Sequence, residues 1–176
     1  MRPTGPGQLV GYPILLLGPG ERDVRSFMRN LEGSLIRLLA AYEIEGVRDP
    51  QFTGVWTREG KIAAMGVHIS RWVTRHGFAL NVNTDLSFYD LIVPCGISGR
   101  GVASMQKLLS RPLDLQAVAE RYIQEFGLLF NRNMIRTSER VLRQKLTRYT
   151  EEVEKPETLR VQAQSDLPGE PTTHDH

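Results

Sequence analysis

The chain has 176 residues, of which 40% are hydrophobic and 24% are charged. These proportions are typical of one globular domain, and they exclude a collagen-like or a wholly disordered chain. No apolar run approaches the roughly 18 residues that a membrane-spanning helix requires, and the N-terminus lacks the apolar segment of a signal peptide. The single cysteine excludes an internal disulfide and a CxxC metal site. We therefore expect a soluble, cytoplasmic protein without membrane association.

Charge is distributed unevenly along the chain. Residues 1–150 contain 20 Lys and Arg against 13 Asp and Glu, whereas residues 151–176 contain two against seven. A basic surface can bind nucleic acid or an acidic protein. Because aromatic residues are not interleaved with the basic ones, as they are on surfaces that stack nucleotide bases, the pattern favours an acidic protein partner over nucleic acid.

The first third of the chain predicts a strand and a helix. Residues 9–17 are mostly apolar and end at Gly18-Pro19-Gly20, which is typical of a buried strand. A helix over residues 21–44 follows, with apolar side chains at three- and four-residue spacing. Its other face is expected to be solvated, and it carries Arg22, Asp23, Arg25, Arg29, Glu32 and Arg37.

Strands dominate residues 53–104. Arg58-Glu59-Gly60 indicates a hairpin turn between two of them, and Gly77 is expected to interrupt the next. The predicted strands cover residues 53–56, 61–69, 72–82, 91–93 and 102–104. Helices combined with hairpins favour an α/β (α+β) fold with a mixed or antiparallel sheet.

Helices follow in the last third of the chain. A short helix is predicted over 105–109, and Asp114 is a candidate N-cap for another over 115–130. Residues 131–150 accumulate arginine and lysine and predict an additional basic helix. Residues 151–176 are rich in Pro, Gln, Thr and acidic residues, and we expect them to form a disordered acidic tail.

Cys95 is a candidate nucleophile because it lies between Pro94 and Gly96 at the end of a predicted strand. The glycines of the following segment, residues 97–101, would leave backbone N–H groups available to an oxyanion. A buried structural thiol is the commoner role of a lone cysteine. The residues alone leave both roles open.

A cysteine nucleophile requires a partner residue, for which histidine and lysine are both available. His68 and His76 belong to predicted strands without a recognisable cysteine-hydrolase pattern, so a structural role is the commoner one for them. Lys61 is either a solvated turn residue or a residue at the mouth of a groove. The groove is an alternative because residues 62–67, which follow it, are small and apolar, and such a run indicates the close approach of a ligand or backbone. A lysine in that position would lower the pKa of a thiol from about 8.5.

Four sequence blocks together resemble the octanoyltransferases of lipoate biosynthesis. They are GPGQLVGYP at residues 5–13, GKIAAMGV at 60–67, HGFALN at 76–81 and PCG at 94–96. The blocks occur in the order and approximate spacing of that family across residues 5–130. Four ordered blocks are much more specific than any one of them.

The resemblance implies the fold of the biotin and lipoyl protein ligases, a mixed, mostly antiparallel sheet flanked by helices. It also implies that octanoyl is transferred from octanoyl-acyl carrier protein to a lysine of a lipoyl domain, in 2-oxoacid dehydrogenases or in the glycine cleavage H protein. Cys95 would be the acyl-thioester nucleophile, and Lys61 would lower its pKa and act as general base. Residues implied in substrate binding are Thr4, Ala64, Met65, Gly66, Gly77, Phe78 and Ala79.

The resemblance implies no cofactor, neither ATP nor a metal, unlike the lipoate–protein ligases of the same fold. Members of the family carry a longer segment before the Gly-Pro-Gly-Gln block, with a histidine where this chain has Thr4. We therefore expect residues 1–130 to be the catalytic domain without that N-terminal segment. A ligase-like enzyme that uses ATP, and an inactive relative that only binds carrier or lipoyl domains, are the alternatives.

Overall fold

The computed structural model describes residues 5–87 and 101–154. Its strands are β1 (Gln8–Gly11), β2 (Val47–Arg48), β3 (Val55–Thr57), β4 (Gly60–Ser70) and β5 (Val73–Asn81). Its helices are α1 (Val24–Ala40), α2 (Met105–Leu109), α3 (Leu115–Phe130) and α4 (Glu139–Glu154). The strands form one sheet in the order β1-β5-β4-β3-β2.

The sheet is built around the long β4–β5 hairpin. In the described part of the chain, each pair of neighbouring strands is antiparallel. A single parallel bridge joins Lys61 of β4 to Val102, in the segment that precedes α2. The expected mostly antiparallel sheet flanked by helices is confirmed.

The hydrophobic core lies between α1, α3 and one face of the sheet. The apolar stripe of α1 is buried, and Phe27 contacts Phe130 of α3 with ring centres 5.6 Å apart. From the sheet, Phe78 contacts Tyr122 of α3 with ring centres 4.6 Å apart. Burying such side chains contributes about 1.5–3 kcal/mol each, which fixes both helices against β4 and β5.

Capping residues set the ends of the two core helices. The Asp23 side chain accepts a hydrogen bond from the Arg25 N–H, so α1 begins later than residue 21, after a 3-10 turn at Pro19–Glu21. Asp114 caps α3 in the same way, and Asn131 ends it in the left-handed conformation, with φ of 50°. The predicted helix over 115–130 is confirmed, whereas the helix predicted over 21–44 is shorter at both ends.

Two strand predictions are wrong in extent. The strand predicted over residues 9–17 ends at Gly11, because Pro13 has no N–H for a ladder, and only an isolated bridge between Leu16 and Val73 follows. Gly77 does not interrupt β5, since it pairs directly with Gly66 of β4. The predicted strand over 91–93 lies outside the described residues.

The chain divides into two compact units, Met1–Met134 and Ile135–His176. In the second unit, α4 begins at Glu139 rather than at residue 131, and it continues to Glu154, four residues into the predicted disordered tail. Over residues 5–87 and 101–154, none of the helices is long and apolar enough to cross a membrane.

Candidate active site

Lys61, the second residue of β4, has its backbone fixed on both sides. On one side it pairs with Trp56 of β3. On the other, its N–H donates to the Gly101 carbonyl oxygen at 2.9 Å, and its own carbonyl oxygen accepts from the Ala103 N–H at 3.1 Å. Gly101 is six residues after Cys95 in the sequence. Residues 101–103, six to eight positions after the candidate nucleophile, are therefore anchored on Lys61.

The hairpin glycine permits this contact. Gly60 has φ of +134°, and the Gly101 carbonyl group lies where a side chain at position 60 would be. Other residues rarely adopt that φ, and any side chain would displace the backbone of Gly101. The predicted hairpin turn is confirmed: Arg58 and Glu59 connect β3 to β4, and Gly60 begins β4 opposite Thr57.

The side chain of Lys61 is half-buried and lies against two residues that precede it in the chain. Its Nζ is 5.2 Å from the centre of the Trp56 ring, which is a cation–π geometry. Its Cε occupies the space where a side chain on Gly54 would lie. Lys61 is therefore more restricted than an ordinary solvated turn lysine.

Cys95 and Thr4 lie outside the described residues, together with the rest of the Pro94-Cys95-Gly96 block. Their roles as nucleophile and substrate-binding residue stay predictions.

The residues predicted to contact the acyl chain divide between two faces of the sheet. Met65 and Phe78 are directly opposite each other on β4 and β5, and pairs of this kind project to the same face. Phe78 is buried against Tyr122, and Met65 packs against the same core. Gly11 lies beside them, where a side chain would collide with the Phe78 ring. Met65 and Phe78 therefore support the sheet from its helix-covered face.

The small residues lie on the opposite face. Ala64 pairs with Ala79, and Gly66 pairs with Gly77. Both alanines are half-buried, and the space above Gly66 is open to at least 4 Å from the position of a Cβ. At Gly77, the backbone of Gly11 and the ring of Pro13 occupy the space of a side chain. Ala64, Ala79 and Gly66 thus form a shallow floor, which we call the small-residue floor, and Gly77 serves close packing of the backbone.

An amide pair that the sequence analysis did not single out lies on β1 and β5, two residues beyond Ala79. The Gln8 side-chain NH2 donates to the Asn81 Oδ1 at 2.8 Å, and the buried Asn81 NH2 donates to the Ala103 carbonyl oxygen at 3.0 Å. These bonds join β1, β5 and the segment before α2. Gln8 and Asn81 each belong to one of the four resemblance blocks, and this was the sequence feature from which they could have been predicted as site residues.

The two strand histidines are distant from Lys61. His68 lies seven residues further along β4, roughly 23 Å away at the rise of a strand, and His76 pairs with Val67 nearby. Both are exposed, and the ring of His76 contacts Tyr12 with ring centres 6.3 Å apart. The structure therefore does not bring either histidine to the Lys61 end of the hairpin.

Buried carboxylates lie on both core helices. Glu32 of α1 was expected on a solvated face and is 6% exposed; it accepts from the Gly54 N–H at 3.2 Å and pairs with Arg48 at 3.3 Å. Glu125 of α3 is 5% exposed. The hydrogen bond from Arg37 holds the pKa of Glu125 below its ordinary value against the effect of burial, and Arg121 also lowers it. Arginine partners offset the cost of burying these charges.

The sequence profile of the lipoyl protein ligase A/B catalytic domain matches residues 3–127. The chain belongs to this family. Among curated relatives, the octanoyltransferase of Solibacter usitatus is 53% identical over 131 residues, which are 74% of this chain and 59% of that protein. The octanoyltransferase of Rubrobacter xylanophilus is 50% identical over 123 residues, or 69% of this chain and 55% of that protein. The chain therefore spans less than two thirds of the length of these octanoyltransferases.

Solved structures of the family's fold are similar to this chain. Biotin protein ligase from Aquifex aeolicus aligns with a TM-score of 0.56 and 18% identity, covering 71% of this chain and 53% of the ligase. Lipoate-protein ligase A bound with ATP aligns with a TM-score of 0.52 and 16% identity, covering 79% of this chain and 58% of that ligase chain. At these identities the likeness concerns the fold, and it confirms the expected ligase-like architecture.

Proposed function

We propose that this member of the lipoyl protein ligase A/B family is an octanoyltransferase. It would transfer octanoyl from octanoyl-acyl carrier protein to a lysine of a lipoyl domain, in 2-oxoacid dehydrogenases or the glycine cleavage H protein. The observation that carries the proposal is the 53% identity over 131 residues to an octanoyltransferase. The anchoring of residues 101–103 on Lys61 supports it, because these residues follow Cys95 closely in the sequence and a cysteine–lysine pair needs both residues at one place.

In the first step, the Cys95 thiolate attacks the thioester carbonyl of the carrier. Lys61 takes the thiol proton and gives it to the departing carrier thiolate, so that the products are an octanoyl-Cys95 thioester and a free carrier thiol. One thioester replaces another, which requires little driving force. The excess of basic over acidic residues in residues 1–150 would attract an acidic carrier protein.

In the second step, the amine of the acceptor lysine attacks the octanoyl-Cys95 thioester. Neutral Lys61 accepts a proton from this amine, an amide forms, and Cys95 leaves as a thiolate beside the Lys61 ammonium. The amide is more stable than the thioester, so the reaction proceeds without a nucleotide. The small-residue floor would accommodate the alkyl chain, with about 0.8 kcal/mol for each CH2 group removed from water.

The proposal is tested by intact-protein mass spectrometry. We expect one octanoyl group on the chain after mixing with octanoyl-acyl carrier protein and without ATP, and no adduct on Cys95→Ser. Addition of a lipoyl domain should then move the label to its lysine. Labelling only with octanoate and ATP would favour a ligase instead. Binding of the carrier to a folded Cys95→Ala variant, with no transfer by the parent chain, would favour a binding module.

A further inference from the structure

Glu32 is a buried carboxylate whose contacts lead toward Lys61. It projects from α1, and one oxygen accepts from the Gly54 N–H at 3.2 Å. The other oxygen pairs with Arg48, whose guanidinium also donates to the Arg29 carbonyl oxygen at 2.9 Å. A buried charge of this kind, with arginine as its partner, fixes the position of the backbone that it binds.

Gly54 is the point of contact between the backbone that Glu32 holds and the side chain of Lys61. It is buried and has φ of +130°, and the Cε of Lys61 lies where a side chain would be. The peptide that Glu32 holds therefore forms one wall for the alkyl chain of Lys61. A shift of this peptide would either push the lysine outward or leave a gap beside it.

Trp56 forms the second wall, beneath the ammonium group. Its ring centre is 5.2 Å from the Lys61 Nζ, and the ring is itself held in place. The indole N–H donates to the Phe52 carbonyl oxygen at 3.2 Å, and the two rings have centres 6.2 Å apart. Asp49 in turn accepts hydrogen bonds from the backbone N–H groups of Gln51 and Phe52. The loop before β3 is thus a rigid support.

We propose that Glu32 and Trp56 are positioning residues for Lys61, a role that rests on the proposed function of Lys61 as proton carrier. Trp56 holds the ammonium group, and Glu32 acts indirectly by fixing the Gly54 peptide against the lysine side chain. Without them, Lys61 would sample more rotamers, and its encounter with the reacting thiol and amine would be less frequent. Neither residue needs to contact the substrate.

Lysine methyl NMR tests the positioning independently of activity. The chain has four lysines, so reductive methylation with 13C gives few signals and keeps the charge, and Lys61→Arg identifies the signal of Lys61. We expect the Trp56 ring current to shift this signal upfield. The shift should disappear in Trp56→Leu and persist in Trp56→Phe in reduced form. A Lys61 signal at the same position in the parent chain and in Trp56→Leu would overturn the role of Trp56.

Glu32 is tested with a matched control at Glu125, which among the described residues is the other buried carboxylate with arginine partners. Glu32→Gln keeps an acceptor for the Gly54 N–H, so we expect its Lys61 signal to remain near that of the parent. Glu32→Leu should move the signal toward that of an exposed lysine, whereas Glu125→Leu should not. If Glu32→Leu does not fold, the comparison is made with Glu32→Ser, which is too short to reach Gly54. A Lys61 signal at the same position in the parent and in Glu32→Leu, or in Glu32→Ser where that variant is used, would overturn the role of Glu32.

Kinetics then connect position to the reaction. We expect octanoyl loading by Trp56→Leu and by Glu32→Leu to be roughly fivefold to tenfold slower, in kcat rather than KM, with Trp56→Phe and Glu32→Gln near the parent rate. If the parent chain loads no octanoyl while the Lys61 signal responds as expected, the proposed function fails and the positioning stands. If loading occurs and the Lys61 signal does not respond, the positioning fails and the proposed function stands.

Discussion

At the scale of single residues, the constraint on Lys61 is the feature that sets it apart from the other described lysines. Its main chain pairs with Trp56 on one side and is hydrogen-bonded to Gly101 and Ala103 on the other, and its alkyl chain and ammonium group each contact a fixed neighbour. Lys107, by comparison, pairs with Glu59 at 3.4 Å while 59% of its side chain is exposed. Holding one rotamer of a lysine costs up to about 2 kcal/mol of conformational entropy, so a fixed lysine indicates that its position matters.

Removing Lys61 tests its predicted effect on Cys95. We expect Lys61→Ala to raise the apparent pKa of the thiol toward the ordinary value of about 8.5, because a nearby ammonium favours the thiolate. Iodoacetamide alkylation at neutral pH should then be several-fold slower, and the pH profile should move upward. Lys107→Ala, the control, should behave as the parent. A profile that Lys61→Ala leaves unchanged would contradict the pairing.

Glu32 shows where prediction from the sequence stops at this scale. Its neighbours Leu31 and Leu35 mark the buried stripe, and a glutamate beside that stripe is usually solvated. Its burial depends on Arg48 and Gly54, which are distant in sequence and come near only through the fold. The resemblance blocks found Lys61 without this context. They contained no information on what holds its side chain.

At the scale of elements, the β4–β5 hairpin separates packing from the proposed binding of the alkyl chain. Because side chains alternate along a strand, Met65 and Phe78 support the core while Ala64, Ala79 and Gly66 face the other way. Sequence blocks name consecutive residues, so they cannot distinguish these two sets. Pairing between the strands is what assigns each residue to a face.

The small-residue floor predicts a change in chain-length preference. Gly66→Val places a side chain in open space at a strand position where a β-branched residue is favourable, so the fold should be retained. The added side chain should shorten the floor, and loading of octanoyl should fall relative to loading of butanoyl, as measured by mass spectrometry with both carriers. An unchanged ratio of the two rates would show that the alkyl chain does not reach Gly66.

The opposite face predicts a loss of stability instead. Phe78→Ala deletes a buried ring between Gly11 and Tyr122, and we expect the free energy of unfolding to fall by about 3–5 kcal/mol. Urea denaturation followed by circular dichroism measures this change. Gly66→Val is the comparison on the exposed face, where the loss should stay below about 1 kcal/mol. Equal losses in the two variants would be inconsistent with this division of faces.

The ion pair that joins Arg37 of α1 to Glu125 of α3 predicts a pH dependence of stability. The folded-state pKa of Glu125 is lowered, chiefly by the Arg37 hydrogen bond, so its contribution is present above the unfolded-state pKa of roughly 4.3 and is lost as the pH falls through the lower folded-state value. Because Arg37 is half exposed, solvent screens the pair and we expect about 1 kcal/mol. Urea denaturation between pH 7 and pH 3 should show a weaker pH dependence in Glu125→Gln.

The exposed pair between Glu139 and Arg143 in α4 supplies the control. Both side chains are 76% exposed, so Glu139→Gln should leave the pH dependence of unfolding as it is in the parent. An equally steep dependence in Glu125→Gln and in the parent would show that Glu125 does not contribute.

Elements differed in how well the sequence predicted them. The boundaries of α3 follow from local chemistry, a capping aspartate and an asparagine in the left-handed conformation, and the prediction over 115–130 was correct. The end of β1 at Gly11 reflects Pro13, which has no N–H for the ladder, whereas the bridge from Leu16 to Val73 that follows depends on where β5 lies, which is a property of the sheet. Similarly, Gly77 continues β5 because Gly66 lies opposite and Pro13 packs over it.

At the scale of the whole molecule, the core and α4 belong to different units. In the part of the chain that the structure describes, the residues of the hydrophobic core precede Asn131. Arg132 and Met134 complete the first unit through contacts with Glu21 and Gly127. The family profile ends at residue 127, close to this division. The excess of basic residues after residue 130 indicated a helix there. Because apolar residues do not recur at a clear helical period in residues 131–150, the sequence contained little information on where the helix begins.

Removing the second unit should therefore leave the core intact. We expect a chain of residues 1–134 to unfold cooperatively, with Tm within a few degrees of the full chain, because a change below about 1 kcal/mol corresponds to such a shift. Circular dichroism during heating measures both the cooperativity of unfolding and the Tm. A loss of the cooperative transition would show that residues 135–176 are needed for the stability of the first unit.

The close contact of Gly60 with Gly101 has a consequence for mutational screens. Neither residue carries a functional group, yet a side chain at either position would collide with backbone atoms, of Gly101 in one case and of Glu59 in the other. In a saturation library selected for the proposed octanoyl transfer, both positions should tolerate as few substitutions as a nucleophile does. Intolerance to substitution at this hairpin would therefore result from the close approach of two peptide backbones. Judged by the tolerance of each position alone, the turn would be mistaken for a catalytic site.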